Sequence, residues 1–390
     1  MKSRYISKRY WEDKSTAMGQ SDEMAKSFDD VINLSLGDPD LITDSRIIEA
    51  AFADAKAGHT KYTDFRGDPQ LREEIAKFYQ EEYDMVINDE EIFVCTSACE
   101  GMYLALEAIL DDGDEVILQA PYFTPYEQQV ELARGIPVEL PTYEEEDFQI
   151  HMERLEHLIT EKTKALIVNS PSNPTGNCLT VETMMQIAEI AEKHDLLVIA
   201  DDIYTAFSYQ HPFIPFASLP GMKKRTITLN SFSKNFTMTG WRIGNIVAPP
   251  EIIRVIQQIN ENVVFTAPSV SQRAAIYALK HRKEIQPAVI EEYRMRMYYA
   301  AERINQIPGL HVLHPPKGSF YLFVNIRGTG MSSEETAALF LEKAHVLVLP
   351  GNAFGRCGEG YVRIACTVGI EKLGEAFDRI AAVLKRKENV

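Results

Sequence analysis

The feature that most constrains this chain is a series of short, wholly apolar runs separated by stretches of helical periodicity. Ala165-Leu166-Ile167-Val168-Asn169 and Leu196-Leu197-Val198-Ile199-Ala200 show no alternation of polar and apolar residues. Between them Met184, Ile187, Ala188, Ile190 and Ala191 share one face of a helix expected from about Val181 to His194. A strand that is apolar on both faces must be covered on both faces, and a helix of this kind is the crossover that parallel strands require. Glu91 to Thr96, Glu115 to Leu118 and Thr226 to Leu229 add further strands, and Cys99 to Leu110 has helical composition. Asp68-Pro69 predicts an N-cap followed by proline at the first helical position, with Leu71, Ile75, Phe78 and Tyr79 on one face. The expected class is α/β, a mostly parallel sheet with helices on both sides.

The pattern changes toward the C-terminus. Long helices are expected between Pro268 and Gln306, one of them rich in Tyr, Met and Arg from about Lys283. From Leu310 onward strands such as Ser319 to Val324 mix with two helices, which points to a smaller α+β domain. The expected division is residues 1–45 as an N-terminal arm and part of the small domain, 46–280 as the large domain, and 281–390 as the small C-terminal domain. Tyr10 and Trp11 are candidate anchors for the arm, and Val31 to Leu36 reads as a strand ending in the turn Gly37-Asp38-Pro39-Asp40.

Composition narrows the partners. With 40 basic and 57 acidic residues the formal charge is -17, which argues against nucleic acid or an anionic membrane as the main partner. A small anionic substrate is still allowed, because a few arginines dominate a pocket. Five cysteines in 390 residues do not make a disulfide framework, and a reducing, cytoplasmic setting is expected. No apolar signal segment and no uncharged run long enough to cross a bilayer is present in the sequence.

The loops after the expected strands carry the chemistry. In Ser231-Phe232-Ser233-Lys234-Asn235 a lysine follows the apolar-alternating run Thr226-Ile227-Thr228-Leu229, with Arg242 eight positions on. Ligands of α/β proteins bind at such strand ends. A desolvated lysine near a second cation has a lowered pKa and becomes a nucleophile able to form a Schiff base, although an ordinary loop lysine fits the same residues. Asn173-Pro174-Thr175-Gly176 follows a second strand and reads alone as a rigid turn. Asp201-Asp202 follows a third, where two carboxylates are costly unless a cation or a helix end meets them. Ser97-Ala98-Cys99-Glu100-Gly101 opens a helix with small residues, a setting that favours an anion.

Taken together and in order, Asn173 to Gly176, Asp201-Asp202-Ile203-Tyr204 and Ser231 to Arg242 resemble the pyridoxal-phosphate-dependent aminotransferases of the class I/II family, fold type I. The resemblance runs from Gly37 to Ile364. It implies an aspartate-aminotransferase-like fold whose large domain holds a mostly parallel sheet of the seven-stranded type. It also implies the cofactor pyridoxal 5'-phosphate and transfer of an amino group from an L-amino acid to a 2-oxo acid by a ping-pong cycle. Lys234 is then the lysine that joins the cofactor and shuttles the proton. Asp201 pairs with the pyridine nitrogen, and Asn173 and Tyr204 bond the phenolic oxygen. Phe123 stacks on the ring, with Tyr122 the neighbouring alternative. The amides of Ala98, Cys99 and Glu100, with Ser231, Ser233 and Arg242, meet the phosphate. Arg363 grips the substrate α-carboxylate, assisted by Asn173 and the backbone at Gly37. Tyr62 resembles the tyrosine that reaches the phosphate of a neighbouring subunit, which implies a homodimer.

One departure from the family is Glu100. In some aspartate-using bacterial members this position is a lysine that binds the distal carboxylate, and a glutamate there argues against an aspartate-specific enzyme of that type. Hydrophobic, aromatic and basic donors stay open. Two rival readings remain at this level, a C–S β-lyase on the same scaffold and a non-catalytic amino-acid sensor. Asp111, Asp112 and Asp114 read as a turn rather than a metal site. No metal is expected, and no nucleotide-binding glycine motif appears.

Overall fold

Twelve strands run through the described part of the chain, in three sheets. The protein is represented by a computed structural model that describes residues 3–11, 19, 23, 25–26 and 28–388. The first strand, β1 (Ile32–Asn33), is short. The next seven are β2 (Ile92–Cys95), β3 (Glu115–Ala120), β4 (Ile136–Pro141), β5 (Thr163–Asn169), β6 (Leu197–Asp201), β7 (Thr226–Ser231) and β8 (Gly244–Val247). They form one sheet in the order β2-β8-β7-β6-β5-β3-β4. Strands β7, β6, β5, β3 and β4 are parallel, and β8 runs antiparallel to both its neighbours.

Why these runs are apolar throughout is visible in the side-chain clusters. Ile117, Leu166, Val198 and Ala200 pack into one cluster with Met184, Ile187 and Ala191 of the helix Val181–Lys193. Their chain neighbours Val116, Leu118, Ile167 and Ile199 point the other way, into a cluster with Met102, Leu104 and Ala105 of the helix Ala98–Ile109. Successive side chains of a strand face opposite sides, so both faces are buried. Each such aliphatic side chain contributes about 1.5–3 kcal/mol relative to exposure.

The second layer is antiparallel and mixed. Here β9 (Tyr321–Asn325), β11 (Leu349–Pro350) and β12 (Tyr361–Ala365) form a sheet in the order β11-β12-β9, while β1 pairs in parallel with β10 (Val346–Leu347). Its core joins both ends of the chain, with Ile32 and Leu34 beside Val324, Val346, Ile364 and Phe377. The helices Arg282–Ile304 and Ile370–Glu388 pack on it.

Several local expectations hold closely. Asp68 caps the helix Pro69–Tyr83 by accepting from the Gln70 amide, and the acidic run is a turn in which the Asp114 amide donates to the Asp111 carbonyl at 3.1 Å. The strand expected from Val31 to Leu36 is cut to two residues. Asn33 Oδ1 accepts from the amide and hydroxyl of Ser35 at 2.9 and 2.8 Å, which turns the backbone out of the ladder. Trp11, expected as an anchor, donates from its indole nitrogen to the carbonyls of Ile6 and Ser3 in its own segment, and Tyr10 is half exposed.

Candidate active site

The carboxyl ends of β2, β3, β5, β6 and β7 open onto one cavity of about 400 Å³. From these ends come Ala98 and Cys99, Phe123, Asn173, Asp201 with Tyr204, and Ser231 with Ser233 and Lys234. The second layer closes it with Gly37, Tyr321 and Arg363. Thus twelve of the fourteen site residues expected from the sequence line one space: the nine at the strand ends together with Gly37, Arg363 and Arg242.

Lys234 sits in the four-residue helix Phe232–Asn235, which Ser231 caps by accepting from the Ser233 amide at 3.1 Å. Its Nζ donates to the Gly37 carbonyl at 2.5 Å. Desolvation, with smaller contributions from Arg242 and Arg363, brings its pKa down to about 8, against the opposing charge of Asp38. The loop beyond is strained, because Thr237 and Arg242 both hold φ +52°, unusual for residues other than glycine and most of all for a β-branched one. Arg242 is exposed, and its guanidinium donates to the Thr239 carbonyl at 2.9 Å.

Asp201 is buried at the end of β6. Tyr126 donates to its Oδ2, while Oδ1 is buried without a partner. Burial raises its pKa to about 6, with the Tyr126 hydrogen bond pulling the other way. Asn169 braces this corner: its amide nitrogen donates to the Asp201 carbonyl at 2.8 Å and its oxygen accepts from the Asn173 amide at 2.7 Å. Asp202 does not line the cavity; it is buried elsewhere, and burial followed by the neighbouring Asp201 charge pushes its pKa well up. Gly176 holds φ +68°, and a Cβ there would lie 2.3 Å from the Tyr321 carbonyl, so the turn that carries Asn173 closes against β9 only with glycine.

Arg363, in β12, is 1 % exposed and fully enclosed. It donates to Asn173 Oδ1 at 2.9 Å and to the Ser35 carbonyl, and its Nε has no partner. No acidic side chain among the described residues pairs with it. A buried guanidinium held only by neutral acceptors is a site for an incoming carboxylate. At the other end, Ala98 and Cys99 begin a helix, where backbone amides have no intrahelical partner.

Two residues stand outside the cavity. The Glu100 amide, expected to meet an anion, donates instead to the capping Ser97 hydroxyl at 3.1 Å. The Glu100 carboxylate turns back to accept from the amide and hydroxyl of Thr96 at 2.6 and 2.7 Å. Its charge therefore does not face the site, and the argument from Glu100 against dicarboxylic donors loses its basis. Tyr62 is 80 % exposed and its ring packs edge-on against Phe265, with centroids 4.8 Å apart. Phe123 rather than Tyr122 faces the cavity, since Tyr122 is buried with its hydroxyl donating toward Glu127 and Glu139.

Sequence reading missed Tyr126, Gln129 and Tyr321, which all line the cavity. Gln129 donates to the Cys99 carbonyl at 2.7 Å. Tyr126 and Gln129 are one face of the helix Pro125–Leu132, and the signal that finds them is their spacing after the β3 loop. Tyr321 lies inside the continuously apolar strand β9, where a tyrosine reads as core.

Chemically, the cavity offers an amine near neutrality, an orphaned carboxylate oxygen, a helix start beside an arginine, and an uncompensated buried guanidinium. Those parts suit a flat ring with a basic nitrogen at one edge and an anionic group at another, next to a carboxylic substrate.

The sequence profile of the family described as "Aminotransferase class I and II" matches residues 29–380. An aspartate aminotransferase of Pyrococcus horikoshii is 41% identical over 370 residues, covering 93% of each chain. Aromatic-amino-acid aminotransferase 2 of Thermococcus litoralis is 39% identical, covering 94% of this chain and 95% of its own. The crystal structure of an aromatic aminotransferase from Pyrococcus horikoshii superposes with a TM-score of 0.90 at 40% identity, covering 96% of this chain and all of that one. The chain belongs to the class I and II aminotransferase family and is an amino-acid aminotransferase.

Proposed function

We propose that the cavity binds pyridoxal 5'-phosphate and that the chain moves the amino group of an L-amino acid to a 2-oxo acid in two half-reactions of a ping-pong cycle. The observation that carries this reading is Asp201, whose buried Oδ1 has no hydrogen-bond partner, lining the same cavity as an amine of lowered pKa. When bound, the cofactor supplies an aldehyde that condenses with amines and a protonated ring that accepts the electron pair left on the substrate Cα.

The chain's own residues then have distinct tasks. Asp201 Oδ1 accepts the ring N–H, and its remaining oxygen is already held by Tyr126. With its pKa near 6 it carries charge at neutral pH, and a cation beside it lowers that value further. Tyr204 and Asn173 hydrogen-bond the phenolic oxygen, and Phe123 covers a ring face. The amides of Ala98 and Cys99, the hydroxyls of Ser231 and Ser233, and Arg242 hold the phosphate. Arg363 binds the substrate carboxylate through its planar fork, with Asn173 and the Gly37 backbone beside it. This would orient the Cα–H bond toward Lys234, whose Nζ would take up and hold the proton removed from Cα.

Tyr62 serves the phosphate of a second copy, so the working unit is a homodimer. Its exposure supports this, as does the cluster of Tyr62, Phe65 and Phe265, all exposed aromatic rings in edge contact. The chain divides near residues 45 and 280 into the large cofactor domain and the small domain. All five cysteines are free, in keeping with a cytoplasmic setting, and among the described residues no helix is long and apolar enough to cross a membrane.

The test is reconstitution with pyridoxal phosphate followed by a panel of amino donors against 2-oxoglutarate and pyruvate. A visible cofactor band, and amino transfer lost in Lys234→Ala, are expected. Pyruvate and ammonia released from cysteine-type substrates without any 2-oxo acceptor would favour elimination instead.

A further inference from the structure

Tyr321, the first residue of β9, stands against three site groups at once. Its ring lies under the Arg363 guanidinium, 4.5 Å from centroid to Cζ, and Phe354 contacts the same guanidinium at 4.9 Å. Its hydroxyl accepts from the Tyr204 hydroxyl at 3.2 Å. The same hydroxyl occupies the space beside the Gly37 α-carbon, where a Cβ would fall 1.7 Å from it. The residue is 2 % exposed.

Its own placement is fixed from behind. Ser319 holds φ +52°, its hydroxyl donates to the Ser172 carbonyl at 3.0 Å and accepts from the Tyr321 amide at 3.3 Å. The turn that presents Asn173 and the strand that presents Tyr321 are therefore one braced unit.

We infer that Tyr321 is a positioning residue that sets the carboxylate clamp and the Tyr204 hydroxyl in a single geometry, an inference that rests on the functional reading above. Arg363 is held by two neutral acceptors at its terminal nitrogens, which leaves rotation about its long side chain to be restrained. Two aromatic rings packed against the guanidinium restrict that rotation, and a planar fork presents its paired donors in one plane only. Tyr204 has one proton to give. The Tyr321 hydroxyl accepts that proton when nothing else does. It donates to the Tyr204 oxygen once the proton is turned toward the cofactor's phenolic oxygen, which strengthens the bond Tyr204 makes. A mere space-filler needs neither the hydroxyl nor the stacked ring.

The test uses the reconstituted wild type, Tyr321→Phe and Tyr321→Leu. Two properties are read: the pH midpoint of the visible cofactor band, and the Kd of an unreactive carboxylate, 3-phenylpropionate, by calorimetry. Tyr321→Phe should keep the carboxylate Kd within about twofold and move the midpoint up by roughly 0.4–1 pH unit, as a weakened donor to the phenolic oxygen predicts. Tyr321→Leu should show the same midpoint shift and a Kd weakened by about 3–30-fold. A midpoint unmoved in Tyr321→Phe overturns the inference, and so does wild-type carboxylate affinity in Tyr321→Leu. Should the leucine variant not fold, the phenylalanine arm alone decides. A wild type with no visible band overturns the reading of the site itself, independently of either variant.

Discussion

Lys234 Nζ and the Gly37 carbonyl are joined by a 2.5 Å hydrogen bond that spans 197 positions of sequence and both layers of the fold. It brings the Lys234 amine of the sheet layer against the turn that follows β1, next to the strand that carries Arg363. The Ala365 amide donates to the Leu34 carbonyl at 2.8 Å, so that turn and β12 are tied as well.

The Lys234 amine should titrate far below an ordinary lysine. In cofactor-free protein, acylation of Lys234 followed by mass spectrometry should rise with a midpoint near pH 8. Because the folded pKa lies below the unfolded one, burying this group disfavours the folded state at lower pH. The penalty is relieved as pH rises from about 8 toward the unfolded value of roughly 10.4. A midpoint above pH 10 would show that the amine is solvated.

Cofactor affinity should fall as pH drops through about 6, where Asp201 takes up a proton and no longer meets the ring cation. Tyr126→Phe removes a hydrogen bond that lowers this pKa, so the acid limb should move to higher pH. Asp201→Asn should cut amino transfer by about 10²–10³-fold while the protein stays folded. Equilibrium dialysis across pH, and single-turnover rates, check these points.

Arg363→Lys keeps the charge and loses the fork. An expected fall of about 10–100-fold in kcat/KM, mostly through KM for the amino donor, follows from losing one charge-assisted bond. An equal loss for a donor amine lacking the carboxylate would contradict the clamp.

Sharing of sites between subunits is open to a mixing experiment. Tyr62→Ala and Lys234→Ala should each be impaired alone. Refolded together they should regain about a quarter of wild-type activity, since half the dimers are mixed and each mixed dimer has one complete site. Mixing with no gain would place Tyr62 outside the partner's site.

How much was legible in the sequence follows from where each group sits. Asn173 follows a strand that is apolar nearly throughout, Asp201 ends another, and Lys234 follows one in which threonine and apolar residues alternate; a polar residue at such a strand end has few structural uses, so strand ends and site coincide. Tyr321 was hidden because its strand is buried along its length, and a tyrosine there reads as core until its hydroxyl is seen against Tyr204 and Gly37. The orientation of Glu100 was hidden for a different reason: the capping of its own amide and carboxylate by Ser97 and Thr96 is a local competition that residue type alone does not decide. The truncation of β1 is another of the same kind, an asparagine side chain outcompeting a ladder.

The most direct measurement is to reduce the reconstituted protein with borohydride and map the fixed pyridoxyl group by peptide mass spectrometry. The account predicts a single stoichiometric label on Lys234, with loss of the visible band and of amino transfer. A label on another lysine, or none at all, would contradict it.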